Sequence, residues 1–170
     1  MKSKTAKETL SIQTKAVMPN DTNALQTLFG GSLLAWMDEI CAIAAHRHCG
    51  RVVVTASINN VSFDHPILLG EFVTLEAKVS RAFNSSMEVI VDVFAEDNLG
   101  NKRKCNEAIY MFVAIDQMRR PIAVPELIPE TPLEQERYDS ALRRRQLSLV
   151  LAGRMKPDDA SELKSIFKNS

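Results

Sequence analysis

Between residues 71 and 82, Val73, Leu75, Ala77 and Val79 alternate with Thr74, Glu76, Lys78 and Ser80, and between 87 and 96, Met87, Val89, Val91 and Val93 alternate with Glu88 and Asp92. A period of two belongs to a strand with one buried and one wet face, so both segments are predicted as strands. Weaker versions of the pattern predict strands over 10–17, 52–58 and 105–116, and Asn98, Gly100 and Asn101 mark the hairpin between 87–96 and 105–116. The run from Leu28 to Ala45 differs, because only Ser32, Asp38 and Glu39 interrupt its apolar and small residues. At 100° per residue Phe29, Leu33, Trp36, Ile40 and Ile43 form one stripe of a helix, with Gly31, Ala35, Asp38, Ala42 and Ala45 on or near the opposite face. A helix without a polar face is enclosed by other structure, and Asp38 then becomes a buried or half-buried acid. Its two central carboxylates would each cost about 2.5 to 3.5 kcal/mol to insert into lipid, which argues against a membrane span.

The order strand, long helix, then strands only predicts an α+β fold in which an antiparallel sheet curls round one central helix. After Pro121, Pro125, Pro129 and Pro132 the sheet pattern stops. Thr131, Pro132 and Glu134 read as a capped helix start, a charged helix follows to about Leu151, and a short one runs from about Asp158 to Phe167. The expected organisation is a domain over 8–125 and a C-terminal helical extension over 131–170. One sheet of five strands covers only one side of a helix that is apolar all round. A single copy would therefore leave an apolar patch and open strand edges, which predicts a homodimer.

The composition narrows the functional classes. The chain has 170 residues, 45% hydrophobic and 25% charged, enough to bury a core. Lys plus Arg number 21 and Asp plus Glu 21, so no global field draws the protein to nucleic acid or an anionic membrane, and any anion site must be local. Three cysteines in a chain of this size read as reduced thiols, and Met1 to Leu10 lacks the apolar core of a secretory signal; the expected compartment is the cytoplasm.

The glycines form neither a dinucleotide fingerprint nor a phosphate-binding loop, and no G-x-S-x-G elbow occurs. Cys41, His46, His48 and Cys49 point in several directions on a helix and are not expected to hold a metal. Asp64 and His65, beside Pro66, read as a loop turn. Asp38 stands out, either as a structural acid or as a general base. Gly30-Gly31 at the helix start offers backbone N–H groups at the positive end of the helix dipole, where a carbonyl oxygen can gain negative charge. An amide-bearing loop, those donors and an enclosed acid are the parts needed to hydrolyse an acyl group with water, with no metal or redox cofactor. For a phosphate-bearing substrate the candidate basic groups are Arg81 with Ser85 and Ser86, the Lys102-Arg103-Lys104 turn, and Arg143 to Arg145, the last two also readable as solvated charge runs.

The runs Met18-Pro19-Asn20-Asp21-Thr22-Asn23, Phe29-Gly30-Gly31 and Trp36-Met37-Asp38-Glu39 are followed by Val54-Thr55-Ala56-Ser57, Phe63, Pro66, Gly70-Glu71, Arg81 and Ser85-Ser86-Met87-Glu88-Val89. In this order they resemble the hotdog-fold acyl-CoA thioesterases, specifically the bacterial acyl-CoA hydrolase group akin to mammalian brain acyl-CoA hydrolase. The resemblance spans roughly Ile12 to Asp116. It implies hydrolysis of acyl-CoA to a fatty acid and coenzyme A, in a homodimer that assembles into a hexamer, a trimer of dimers. It also implies roles: Asp38 as general base or nucleophile, Asn23 from the partner subunit orienting the thioester or the water, the Gly31 N–H polarising the carbonyl, and Gly30, Thr55, Arg81, Ser85 and Ser86 at the coenzyme A. Leu25-Gln26 departs from the Asn-Gly common in such bacterial enzymes, which bears on the acyl entrance. The competing reading is a non-catalytic acyl-CoA-binding sensor; such a regulator usually carries a DNA-binding segment, and Met1 to Leu10 is too short for one.

Overall fold

The structure, a computed structural model, describes every residue except Asn60, Asp64, Asn169 and Ser170, and of Lys168 the backbone alone. In chain order its elements are β1 (Lys4–Thr5), α1 (Ala6–Thr9), β2 (Ser11–Ala16), α2 (Gly30–Cys49), β3 (Val52–Asn59), β4 (Phe72–Ala82), β5 (Ser86–Glu96), β6 (Lys102–Ile115), β7 (Leu127–Ile128), α3 (Pro132–Leu151) and α4 (Ser161–Lys168), with 3-10 turns at Pro19–Asp21 and Pro157–Asp159. They fall into two compact units, Met1–Ile128 and Pro129–Ser170.

In the first unit β2, β4, β5, β6 and β3 lie side by side in that order, every neighbouring pair antiparallel. The sheet curls along α2, which packs against all five strands. The alternation seen in the sequence is the reason: Val73, Leu75, Ala77 and Val79 of β4, Val89, Val91 and Val93 of β5 and Ala108, Tyr110 and Phe112 of β6 are buried, with Leu33, Met37, Ile40, Cys41 and Ala44 of α2. Full burial of a side chain the size of Leu75 or Met37 contributes about 1.5 to 3 kcal/mol.

The helix differs from its predicted form at both ends. It starts at Gly30 and continues past Ala45 to Cys49, closing on Gly50, whose φ of 64° is the left-handed cap that glycine adopts without a Cβ clash. Its buried face also carries Trp36, Ala45 and His48, whereas Phe29 and Ile43, expected in the core stripe, are 55% and 46% exposed. Ahead of the strand predicted from residue 10, where the sequence predicts no element, the chain holds β1 and α1, and β1 pairs in parallel with β7 in the proline-rich segment where the sheet pattern stops. Two-residue strands are too short for a period to register.

In the second unit Thr131 caps α3 as its sequence predicts. The Thr131 hydroxyl accepts from the Glu134 amide at 3.2 Å, and the Glu134 carboxylate accepts from the amides of Glu130 at 2.9 Å and Thr131 at 3.3 Å. Leu163 of α4 donates its amide to the Gln146 side chain of α3 at 3.0 Å. No helix among the described residues is long and apolar enough to cross a membrane.

Candidate active site

The approach to α2 is a loop that bonds to itself. Met18 donates its amide to Asp21 at 2.9 Å, and the Asn23 side-chain oxygen accepts from the amides of Leu25 at 2.9 Å and Thr27 at 3.2 Å. The Asn23 Nδ2 donates to the Thr27 hydroxyl at 2.8 Å. The Asn23 amide group thus shapes its own loop while it faces a cleft of about 440 Å³ lined by Phe29, Gly30, Phe63, His65 and Asn106 among others. His65 is an exposed member of that cleft; its neighbour Asp64, expected in the same turn, lies outside the described residues.

At the helix start the N–H groups of Gly30, Gly31 and Ser32 have no acceptor among the described residues, because Phe29 precedes them without a side-chain cap and the first intrahelical bond runs from Leu33 to Phe29. Two aromatic rings crowd these amides. A Cβ on Gly30 would stand 3.4 Å from the Phe63 ring, and one on Gly31 would stand 2.5 Å from the Phe29 ring. Gly31 is what lets the Phe29 ring approach, the Phe63 ring standing at ordinary contact distance from Gly30, and the result is a set of free donors beside an apolar wall.

Asp38 lies seven residues further along α2 than Gly31, about 10 Å at 1.5 Å per residue. It does not line the cleft at the helix start. It is half-buried, and its Oδ1 accepts a hydrogen bond of 2.7 Å from the Thr55 hydroxyl of β3. A β-bulge between Thr55 and Ser57 shifts the pairing of β3 with β6, a device that re-aims side chains at strand positions. Glu39 points elsewhere: it meets Lys15 of β2 at 3.6 Å.

Two other titratable groups stand near Asp38. Cys41 is buried, and burial together with the Asp38 charge pushes its thiol well above its ordinary value, so it is an inert core thiol and not a nucleophile. Burial, with Cys41 and Asp38, likewise raises the Tyr110 phenol, whose hydroxyl donates to the Leu34 carbonyl of α2 at 3.1 Å. Tyr110 thereby ties β6 to the helix turn just ahead of Asp38.

Arg81, Ser85 and Ser86 come together at the turn joining β4 to β5. The Arg81 guanidinium lies 5.8 Å from the centre of the Phe83 ring, the Ser86 carbonyl accepts from Phe83 at 2.8 Å, and the Ser85 carbonyl accepts from Ala114 at 3.0 Å. Register pairs Thr55 with Phe112, Phe112 with Met87 and Met87 with Ala82, so this turn lies level with Thr55 across the sheet. Two strand spacings, roughly 10 Å, separate Thr55 from the Ser86 side of the turn, and three, roughly 14 Å, from its β4 side.

The other basic candidates are occupied. Lys102 meets Glu76 at 3.6 Å, Arg103 meets Glu71 at 2.7 Å, and Lys104 meets Asp92 at 2.6 Å and Glu107 at 2.8 Å. The Arg103 guanidinium holds the Glu71 carboxyl below the usual carboxylate range. In the second unit Arg143 donates to Ser140 at 2.8 Å. Among the described residues no cluster of three or more His, Cys, Asp or Glu side chains has metal-binding geometry. His48 instead is a core residue bonded through Nε2 to the Pro125 carbonyl at 2.7 Å.

Sequence reasoning placed Thr55 at the coenzyme A and missed its bond to Asp38. A hydroxyl on a strand next to the helix was the available signal, but the bulge that aims it is silent in the sequence. The rings of Phe29 and Phe63 over the helix start and the Tyr110 hydroxyl were also missed.

Residues 25–100 match the family model described as "Thioesterase superfamily". The chain is 40% identical over 139 residues to the Bacillus subtilis uncharacterized acyl-CoA thioester hydrolase YkhA, covering 81% of each chain. It is 39% identical over 141 residues to the mouse acyl-coenzyme A thioesterase 11, where the match spans 82% of this chain and 24% of that protein. A solved apo-hexameric acyl-CoA thioesterase superposes with a TM-score of 0.86 at 37% identity over 89% of this chain and 98% of that one. A Staphylococcus aureus acyl-CoA hydrolase is similar at a TM-score of 0.83, 36% identity and 90% and 96% coverage. It has been solved with an asparagine, an aspartate or a threonine changed to alanine, and the three lie at the same spacings as Asn23, Asp38 and Thr55.

Proposed function

The chain belongs to the thioesterase superfamily, as an acyl-CoA thioester hydrolase of the hotdog fold, and from that premise we propose that it acts through one site assembled from two copies of the chain. One copy supplies Asp38 and Thr55, and the other supplies Asn23 and the amide of Gly31. The observation that carries this reading is the separation of the parts on one helix: an acid about 10 Å from the free amides cannot serve a carbonyl bound to those same amides. A second copy, running antiparallel beside the open face of α2 and β3, brings its helix start to the first copy's Asp38.

In this reading the thioester oxygen accepts the Gly31 N–H, and Asn23 steadies the thioester or the water. Thr55 holds Oδ1 of Asp38 and leaves Oδ2 to take a proton from water. The water oxygen bonds to the acyl carbon, negative charge collects on the carbonyl oxygen facing the amides, and collapse breaks the C–S bond. The leaving thiolate is a far weaker base than an alkoxide, so it departs without an acid catalyst and takes up the proton held by Asp38 afterwards. Attack by Asp38 itself, with water hydrolysing the resulting anhydride, uses the same geometry. Arg81, Ser85 and Ser86 are assigned to the coenzyme A. The dimer is taken to be the working unit of a hexamer, in the cytoplasm. No metal or redox group enters these steps.

Release of free thiol from a panel of acyl-CoAs tests the function. The wild type releases thiol and Asp38→Asn does not; equal rates from the two proteins would overturn the assignment.

A further inference from the structure

The end of α2 opposite the glycines borders a groove of about 810 Å³, formed by the α2–β3 turn and by the turn that follows β6. Its lining includes His46, Arg51, Asp116, Arg119 and Arg120. The three arginines differ. Arg120 is engaged, with its Nε on Asp116 at 3.1 Å, and the Asp116 carboxylate also accepts the amides of Met118 at 2.8 Å and Arg120 at 2.9 Å. That carboxylate, held below its usual range by these donors, is consumed in forming the turn. Arg51 and Arg119 are exposed and have no acidic partner among the described residues. In a chain of zero net charge whose Lys102, Arg103 and Lys104 are all paired, two unpaired guanidiniums on one concave surface are a local positive site.

The backbone presents them rigidly. The His46 Nδ1 lies 2.9 Å from the Arg51 carbonyl and the Gly50 amide donates to the His46 carbonyl at 2.7 Å, which ties both ends of the α2–β3 turn. Arg119 sits at φ 60°, in the left-handed region where a non-glycine residue costs about 1 kcal/mol or more. Glycine would fill that turn position without the cost; what arginine adds is a planar fork of donors that matches phosphate oxygens.

We infer that the groove binds a phosphate group of a nucleotide between Arg51 and Arg119. This chemistry is shared by the nucleotide end of coenzyme A and by a free nucleotide, and only the first source rests on the proposed hydrolase. Position favours that source. Val52, which lines the groove, is three residues from Thr55, about 10 Å along β3, a distance an extended pantetheine arm exceeds. Ile122 of the groove donates its amide to Ala114, and Ala114 donates to the Ser85 carbonyl, each at 3.0 Å, so the groove adjoins the Ser85 turn.

The test is calorimetric titration of the full chain with adenosine 3′,5′-bisphosphate, which has no thioester. Wild type binds it, while Arg51→Gln and Arg119→Gly each weaken binding roughly tenfold, as loss of a charge-assisted contact does. Arg119→Gly also relieves the backbone, so its effect is not a folding defect. Absence of binding to wild type, or wild-type affinity in both variants, overturns the inference. Steady-state kinetics then identifies the source. If Arg51→Gln raises KM for an acyl-CoA far more than for the matching acyl-pantetheine, the occupant is the nucleotide of coenzyme A. If the two KM values respond alike while the bisphosphate is still lost, it is a free nucleotide. A wild type that binds the bisphosphate but hydrolyses no acyl-CoA sinks the hydrolase proposal and leaves the groove standing.

Discussion

Strands β2 and β3 stand at opposite edges of one sheet and both flank α2. On the β2 side the helix is closed: Lys15 meets Glu39 at 3.6 Å and lies 4.9 Å from the centre of the Trp36 ring, and in β2 Ile12 is followed by the polar run Gln13, Thr14 and Lys15. On the β3 side it is open. Val52, Val54 and Ile58 are 65%, 43% and 43% exposed on an edge strand, next to a helix stripe of Gly31 and Ala35 that is also exposed. A charged edge resists pairing with another chain, and an apolar one invites it. The two acids of the helix divide the same way, Glu39 towards the closed edge and Asp38 towards the open one. The chemistry is therefore proposed where the molecule is unfinished as a single copy.

The largest effect separates those acids. Asp38→Asn should lower kcat by about 10² to 10⁴ with the fold intact by circular dichroism, whereas Glu39→Gln should stay within a few-fold of wild type. Comparable losses in both would remove the distinction between the edges. Next comes a charge on each edge. Val54→Lys should lower the molecular mass seen by light scattering and take activity with it, while Ile12→Lys should preserve assembly and rate. A dissociated Val54→Lys protein that keeps full activity would mean that one copy holds a whole site. A smaller change is expected for Thr55→Val, which removes one hydrogen bond to a charged group and should cost roughly tenfold in kcat, with recovery in Thr55→Ser.

The mildest prediction concerns stability away from both edges. Glu71 has its carboxyl lowered by Arg103, so its contribution is present above the unfolded carboxylate value and fades as pH falls through the lower folded value. Arg103→Met should reduce stability by about 1 to 2 kcal/mol near neutrality, a figure held down because Arg103 is 41% exposed, and should flatten the loss of melting temperature below about pH 5. An acid limb identical to that of wild type would show that the pair contributes nothing.

Much of the fold was legible in the sequence because β4 keeps a period of two, β5 repeats it at Met87, Val89, Val91 and Val93, and α2 as far as Ala45 has only Ser32, Asp38 and Glu39 as polar residues. The details that matter for the site were less so. Exposure of Ile43 and burial of Ala45 depend on which side of α2 the sheet covers, and helical periodicity gives relative angles only. The Thr55 to Asp38 bond needs the β3 bulge, and the groove with Arg51 and Arg119 needs two turns whose arginines are 68 residues apart in the chain. Asp38 itself was visible, since an acid in an otherwise apolar helix requires an explanation.

Subunit complementation decides whether the site is shared. Asn23→Ala and Asp38→Asn, each inactive alone, are mixed under conditions where subunits exchange, with hybrid formation followed by mass spectrometry. Each hybrid dimer then holds one intact site and one with both defects, so random pairing should restore about a quarter of wild-type activity. Hybrids that form and remain inactive would contradict a site built from Asn23 of one copy and Asp38 of the other.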